Sequence, residues 1–389
     1  MEEVVIVSAI RTPIGKFGGA LSSLSSVALG TIVTKEAIKR AHLKPEQIDQ
    51  VIFGNVLSAG AGQNIARQIE INSGIPESKT AFTVNQVCGS GLRAVRSGQA
   101  AIAVGDAEIV VVGGTESMSN APFINSNMRF GHKMGAATIE DTIQKDALTD
   151  AFSGEPMGIT AENVAEQFNI SRKKQDEFAF QSYEKAIAAQ DNDYFHNEII
   201  PIQLQNGTVI TQDESVRRDT TKEKLAKLRS AFKKNGTITA GNAASLNDGA
   251  SALVLMTSSK AEQLGIEPLA TINGYKEVGI TPSIMGYAPY YAVKELVEQQ
   301  GISVDAFEQV ELNEAFASQA LATINDLKID RNRVNTTGGA IALGHPLGDS
   351  GSRIIVTLIN NLKRNHQHRG LASLCIGGGM GMAMDISVQ

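Results

Sequence analysis

Apolar and polar positions alternate along this chain in blocks that change period. The run Val4-Val5-Ile6-Val7-Ser8-Ala9 predicts a strand, and the glycine-rich stretch from Arg11 to Gly19 predicts a loop. A helix is expected from about Ser26 to Ala41, then a strand over Val51-Ile52-Phe53-Gly54-Asn55-Val56. Residues 60–73 begin glycine-rich and turn helical, and Gly74 and Pro76 end them. Phe82 to Val87 reads as a short buried strand. Gly89 to Val104 reads as a helix carrying Leu92, Val95, Ile102 and Val104 among small residues. Ile109-Val110-Val111-Val112-Gly113-Gly114 is apolar enough to be covered on both faces. Strands alternating with helices predict an α/β fold with a mixed, covered sheet.

From Ser117 to about Ala240 the texture changes. Met, Asn, Gly and charged residues dominate, with no β-branched run until Val209-Ile210. Amphipathic helices are expected over 158–168 and 171–190, with Thr160 and Ser171 as capping residues. This stretch predicts an inserted helical lobe, after which Ala250 to Met256 returns to the first sheet. The last third then repeats the first. Asp49-Gln50-Val51-Ile52-Phe53-Gly54-Asn55 resembles Glu308-Gln309-Val310-Glu311-Leu312-Asn313-Glu314, and Ile109 to Gly114 resembles Ser373 to Gly378. Thr83 to Cys88 matches Val334 to Gly339, each followed by a helix. Three pairs in one order predict duplicated α/β halves. The expected boundaries are 1–118 for the first half, 119–240 for the insertion, 241–268 for the return, and 269–389 for the second half.

Composition narrows the function. The chain has 389 residues, 42% hydrophobic and 20% charged, with net charge −6, which gives no general reason to expect a nucleic acid or an anionic membrane as partner. Two cysteines are a poor disulfide framework at this length, and no basic region followed by an apolar stretch opens the chain. A cytoplasmic protein is expected. No metal site is expected either, because the cysteines lie far apart and no His cluster accompanies them.

The candidate chemistry falls at four places. Cys88 sits where a strand hands over to a helix, beside the slim turn Gly89-Ser90-Gly91. It is either an inert buried thiol or a nucleophile whose thiolate is favoured by the helix dipole. Asn313 stands where a strand should end, as a turn residue or as a group that fixes a water or a carbonyl oxygen. His345 is bracketed by glycines in Gly338 to Gly351, a setting suited to proton transfer or to polarising a carbonyl. Cys375 precedes Gly377-Gly378-Gly379, whose bare N–H groups suit an oxyanion. Equivalent loops of two related halves would bring all four to one cleft.

Together the segments around Cys88, Asn313-Glu314-Ala315-Phe316, Gly344-His345-Pro346 and Cys375-Ile376-Gly377-Gly378-Gly379 resemble the thiolase family. Further matches run from Arg11-Thr12-Pro13 through Gly54-Asn55-Val56 and Thr160-Ala161-Glu162-Asn163 to Leu246-Asn247-Asp248-Gly249-Ala250. The resemblance implies the thiolase fold, with two similar mixed-sheet α/β halves in a five-layered arrangement and an inserted loop domain that binds coenzyme A. It implies that Cys88 takes an acyl group from acyl-CoA and that Cys375 removes the α-proton of acetyl-CoA. His345, with a water held by Asn313, would form one oxyanion hole, and the N–H groups of Cys88 and Gly377 the other. It further implies substrate contacts at Arg217, Met157, Ala244, Ser245, Met285 and Phe316, with coenzyme A as substrate and product and no further cofactor.

The expected activity is the reversible condensation of two acetyl-CoA to acetoacetyl-CoA. The alternatives are a degradative 3-ketoacyl-CoA thiolase and a non-catalytic acyl-CoA-binding relative; Cys375 argues against an irreversible ketoacyl synthase. The expected assembly is a homotetramer of two dimers. Arg217, Arg218, Lys222, Lys224, Lys227, Arg229, Lys233 and Lys234 form a basic island, either a solvated face or a binding surface for CoA. Three positions depart from the family pattern: Pro156 stands for His, Ala244 for Ser and Asp349 for Ala.

Overall fold

The computed structural model describes residues 2–389. Nine strands form its main sheet path: β1 Val4–Arg11, β2 Gln50–Gly54, β3 Thr80–Val84, β4 Ile109–Ser117, β5 Asn247–Thr257, β6 Ala270–Gly279, β7 Gln309–Leu312, β8 Arg369–Ile376 and β9 Met380–Ser387. Their spatial order is β7-β8-β9-β6-β1-β5-β4-β2-β3. The duplication lies in that order. In the first half β2 runs parallel to β3 and β4, and β4, β5 and β1 follow antiparallel. In the second, β7 runs parallel to β8, and β8, β9 and β6 follow antiparallel. A parallel bridge between Val310 and Val334 stands where β3 stands in the first half. The two runs meet through only Val5↔Thr271 and Ile6↔Ala270.

Helices complete a helix–sheet–helix–sheet–helix stack. The Ser26–Arg40 and Ile65–Asn72 helices cover the outer face of the first half, and Ala288–Gln300 and Ala317–Leu327 that of the second. Between the sheets lie Ser90–Val104 and Leu347–Arg364. This central pair can pack closely because glycines stand at the contact: a Cβ on Gly91 would lie 2.7 Å from the Ser352 backbone nitrogen. Leu92, Val95, Ile354, Ile355 and Leu358 fill the core between the two inner sheet faces. No described helix is long and apolar enough to cross a membrane.

Between β4 and β5 the chain forms two short hairpins and the helices Met157–Gln167, Arg172–Asp191 and Lys222–Ala226. Ser171 caps the second of these, accepting from the Lys174 N–H. Two local expectations fail. Thr160 does not cap, because the helix already starts at Met157 and the Thr160 hydroxyl bonds back to the Met157 carbonyl at 2.7 Å. The strand before Cys88 is an edge rather than a buried strand, and Phe82 is 40% exposed on it. Its apolar pattern is legible in sequence, but its place at the end of the sheet is set by the fold.

Candidate active site

The turn carrying Cys88 is made by backbone strain and small residues. Val87 adopts a left-handed φ of 46°, uncommon for a β-branched residue, just before the helix that Gly89 caps. Ser90 steadies this turn, accepting from the Gln86 N–H at 2.8 Å and donating to the Val87 carbonyl at 2.7 Å. Gly89 lies against Ile376, which follows Cys375, so the two cysteine-bearing segments touch here.

Cys88, Met157, Ala244, Ser245, Met285, Phe316, His345 and Gly377 line one cavity of about 70 Å³. Cys375, fully buried, packs with Met157, Met285 and Phe316 in the apolar cluster beneath it. Asn313 lies behind the imidazole, its Nδ2 3.5 Å from His345 Nε2 and its Oδ1 without a partner among the described residues. Arg217 is the exception among the sequence candidates: it is exposed and does not line this cavity. Much of the basic island is paired, through Arg218–Asp191, Lys222–Glu177, Lys224–Asp219 and Lys233–Glu166, whereas Arg217 forms no such pair among the described residues.

The electrostatics correct one expectation. Burial pushes the Cys88 thiol up to about 11, against the N–H groups of Gly377 and Cys88, which favour the thiolate. Burial is the largest of these influences, and the Glu116 carboxylate adds to it. Those two N–H groups nonetheless sit at the sulfur, as donors to an oxygen formed there would. Cys375 is also pushed up, first by burial and then by repulsion from Cys88. Burial holds the His345 imidazolium form down to about 3, so the ring is neutral.

Three supporting groups escaped the sequence reading. Glu116, at the end of β4, accepts from Val56, Leu57 and Gly348 N–H groups and from the Asn55 amide, at 2.9 to 3.1 Å. It lashes the loop after β2 to the start of the helix that follows His345. Ser350 lies 2.6 Å from His345 Nδ1 and 3.0 Å from the Pro346 carbonyl. Asn247 accepts the His345 backbone N–H at 3.0 Å. A charged residue at the end of an apolar strand was the only local signal for Glu116; Ser350 and Asn247 gave none that spacing could reveal. Among the described residues, no group of three or more His, Cys, Asp or Glu side chains is arranged to hold a metal ion.

Comparison with known proteins identifies the family. The thiolase N-terminal domain matches residues 4–259, and the thiolase C-terminal domain residues 266–388. An acetyl-CoA acetyltransferase of Syntrophomonas wolfei is 48% identical over 98% of each chain. A probable acetyl-CoA acyltransferase of Staphylococcus epidermidis is 46% identical over 100% of this chain and 99% of its own. Among solved structures, the acetyl-CoA acetyltransferase of Bacillus anthracis superposes with a TM-score of 0.98 at 42% identity, covering 100% of this chain and 99% of that one. A thiolase from Ascaris suum, solved with coenzyme A, gives 0.95 at 43% identity over the whole of both chains. Matched from end to end in sequence and in fold, this chain belongs to the thiolase family.

Proposed function

We propose that this protein condenses two acetyl-CoA to acetoacetyl-CoA and free CoA, reversibly, through an acyl-cysteine on Cys88. The observation that carries the reading is the convergence of Cys88 and His345 on one small apolar cavity, with Cys375 against its wall and the Gly377 N–H at the Cys88 sulfur. In the first step the Cys88 sulfur bonds to the thioester carbonyl carbon, the bond to the CoA sulfur breaks, and CoA leaves carrying the proton Cys88 gave up. The N–H groups of Cys88 and Gly377 hold the oxygen of the tetrahedral intermediate. In the second, Cys375, as the thiolate, takes the α-proton of another acetyl-CoA. The new carbon–carbon bond forms as the Cys88–acyl bond breaks, and the proton on Cys375 passes to Cys88.

His345 serves the enolate as a neutral donor. The Ser350 hydroxyl, 2.6 Å from Nδ1, holds the ring in place. Asn313, with its free carbonyl oxygen, would hold the accompanying water.

A cavity of about 70 Å³ walled by Met118, Leu148, Met157, Met285 and Leu347 suits an acetyl or acetoacetyl group better than a long chain, which favours this reading over a degradative long-chain thiolase. Cleavage rates should therefore fall with ketoacyl length. Arg217, exposed and without an ion pair among the described residues, is the proposed contact for the nucleotide end of CoA. The protein is proposed to be cytoplasmic, in keeping with its two free cysteines. The proposed assembly is a homotetramer. Phe123, Phe130, Met134 and Ile139, respectively 62%, 98%, 89% and 64% exposed, supply an apolar surface for it, and light scattering showing a monomer would remove it.

Mass spectrometry after brief incubation with acetyl-CoA tests the mechanism. The Cys375→Ser variant should carry an acetyl group on Cys88 yet not condense, since an alcohol is too weak a base. Cys88→Ser should carry none. The reverse pattern would exchange the roles, and no adduct on either would leave a binding protein.

A further inference from the structure

The Asn247 side chain is fully buried, and each of its hydrogen-bonding positions is used by a different segment. Its amide nitrogen donates to the Gly15 carbonyl at 2.9 Å and to Ser215 Oγ at 2.7 Å. Its carbonyl oxygen accepts from the Ser245 hydroxyl at 2.8 Å and from the His345 backbone N–H at 3.0 Å. The amide orientation is not interchangeable, because the Gly15 carbonyl can only accept and the His345 N–H can only donate. Gly344, at a φ of 113°, lies directly against this amide, so any side chain there would overlap Asn247. The contact is therefore built from both sides.

What these four segments carry gives the arrangement its meaning. His345 and Ser245 line the catalytic cavity, and Ser215 lies two residues before Arg217 on the exposed segment proposed above to meet the nucleotide end of CoA. One rigid side chain thus joins the catalytic histidine to that segment through single hydrogen bonds. We infer that Asn247 is a positioning residue that transmits nucleotide binding at the 215–217 segment to the placement of His345. Binding energy from a remote part of a substrate can be used at the reacting centre only through such a connection. The inference rests on the proposed roles of His345 and Arg217.

The test compares acetyl-CoA with an acetyl-pantetheine thioester that lacks the nucleotide, using the full-length protein and its Asn247→Asp variant. Aspartate has nearly the same shape and still accepts from His345 and Ser245, but it cannot donate to Ser215 or Gly15 and faces the Gly15 carbonyl with a charge. In the wild type, acetyl-CoA should show a higher kcat than the truncated thioester, about tenfold or more. In Asn247→Asp that kcat advantage should shrink to about onefold, while Arg217→Ala should erase it and raise KM for acetyl-CoA as well. Ser215→Ala breaks only the link toward Arg217 and serves where Asn247→Asp fails to fold; it too should lower the kcat advantage at unchanged KM for acetyl-pantetheine. Equal kcat losses for both thioesters in either variant would overturn the inference, as would an undiminished advantage. A wild type that forms no acyl-enzyme would instead overturn the proposed function.

Discussion

The two halves share a strand order and differ at the turn where the chemistry sits. In the first, the turn after β3 presents Cys88, with its side chain at the wall of the cavity. In the second, the repeat places Gly339 at the matching position, and a side chain there would overlap the Glu314 carboxylate. Glu314 itself matches Asn55 in the first half. It is held by the Ser182 hydroxyl at 2.7 Å, the Asn335 amide at 2.7 Å and the Ile341 N–H at 3.2 Å. The room that the nucleophile occupies in one half is thus filled in the other by a carboxylate from the neighbouring loop. The second half contributes proton-handling groups instead, His345 beyond that glycine and Cys375 on β8. A duplicated scaffold supports one reaction because its two copies load equivalent turns differently.

Gly339→Ala is the most direct way to break this comparison. If Glu314 fills the slot, the added methyl has nowhere to go and should cost about 3 kcal/mol, as overpacking of a rigid core does, read as a lower midpoint in urea. A variant of wild-type stability would mean that the slot is open and the halves differ for another reason.

The proton-handling side is sharpened by Ser350→Ala. Losing the hydroxyl removes the hydrogen bond at His345 Nδ1 that holds the ring in place. Condensation should fall about tenfold, while acetylation of Cys88, which uses the other pair of donors, stays near wild type. Equal losses in both steps would point to a displaced loop rather than a loosened imidazole.

The smallest expected effect concerns the seam. Asp349 is buried between the halves, 2.5 Å from Ser251 Oγ, with its other oxygen unpartnered among the described residues. Burial pushes its carboxyl up to about 7 from an ordinary value near 4. A raised acid favours the fold while protonated, so this contribution is full below about pH 4 and is lost as pH rises through about 7. Asp349→Ala, the residue type the family pattern has here, should cost about 1 kcal/mol near pH 5 through the lost hydrogen bond. Near pH 8 that cost should vanish or reverse. Unfolding curves at the two pH values check this, and a difference independent of pH would mean that Asp349 is ionised throughout.

Much of this was determined by the sequence alone. Period and composition along the chain set the alternation of strands and helices, and three ordered repeats disclosed two halves. Glycines around Cys88, His345 and Cys375 marked the turns that carry chemistry, because those turns need a slim backbone locally. Other features belonged to the tertiary structure. Phe82 has a strand's pattern whether its strand is central or at an edge. The acidity of Cys88 is set first by its burial, which segments distant in sequence produce. Asn247 meets His345 across 98 positions and Gly15 across 232, so no window of sequence contains the contacts that define it. Local pattern determines which elements form, since propensity and amphipathicity act over a few residues. Which buried polar groups meet, and how strongly burial shifts them, is decided only when distant segments close around one another.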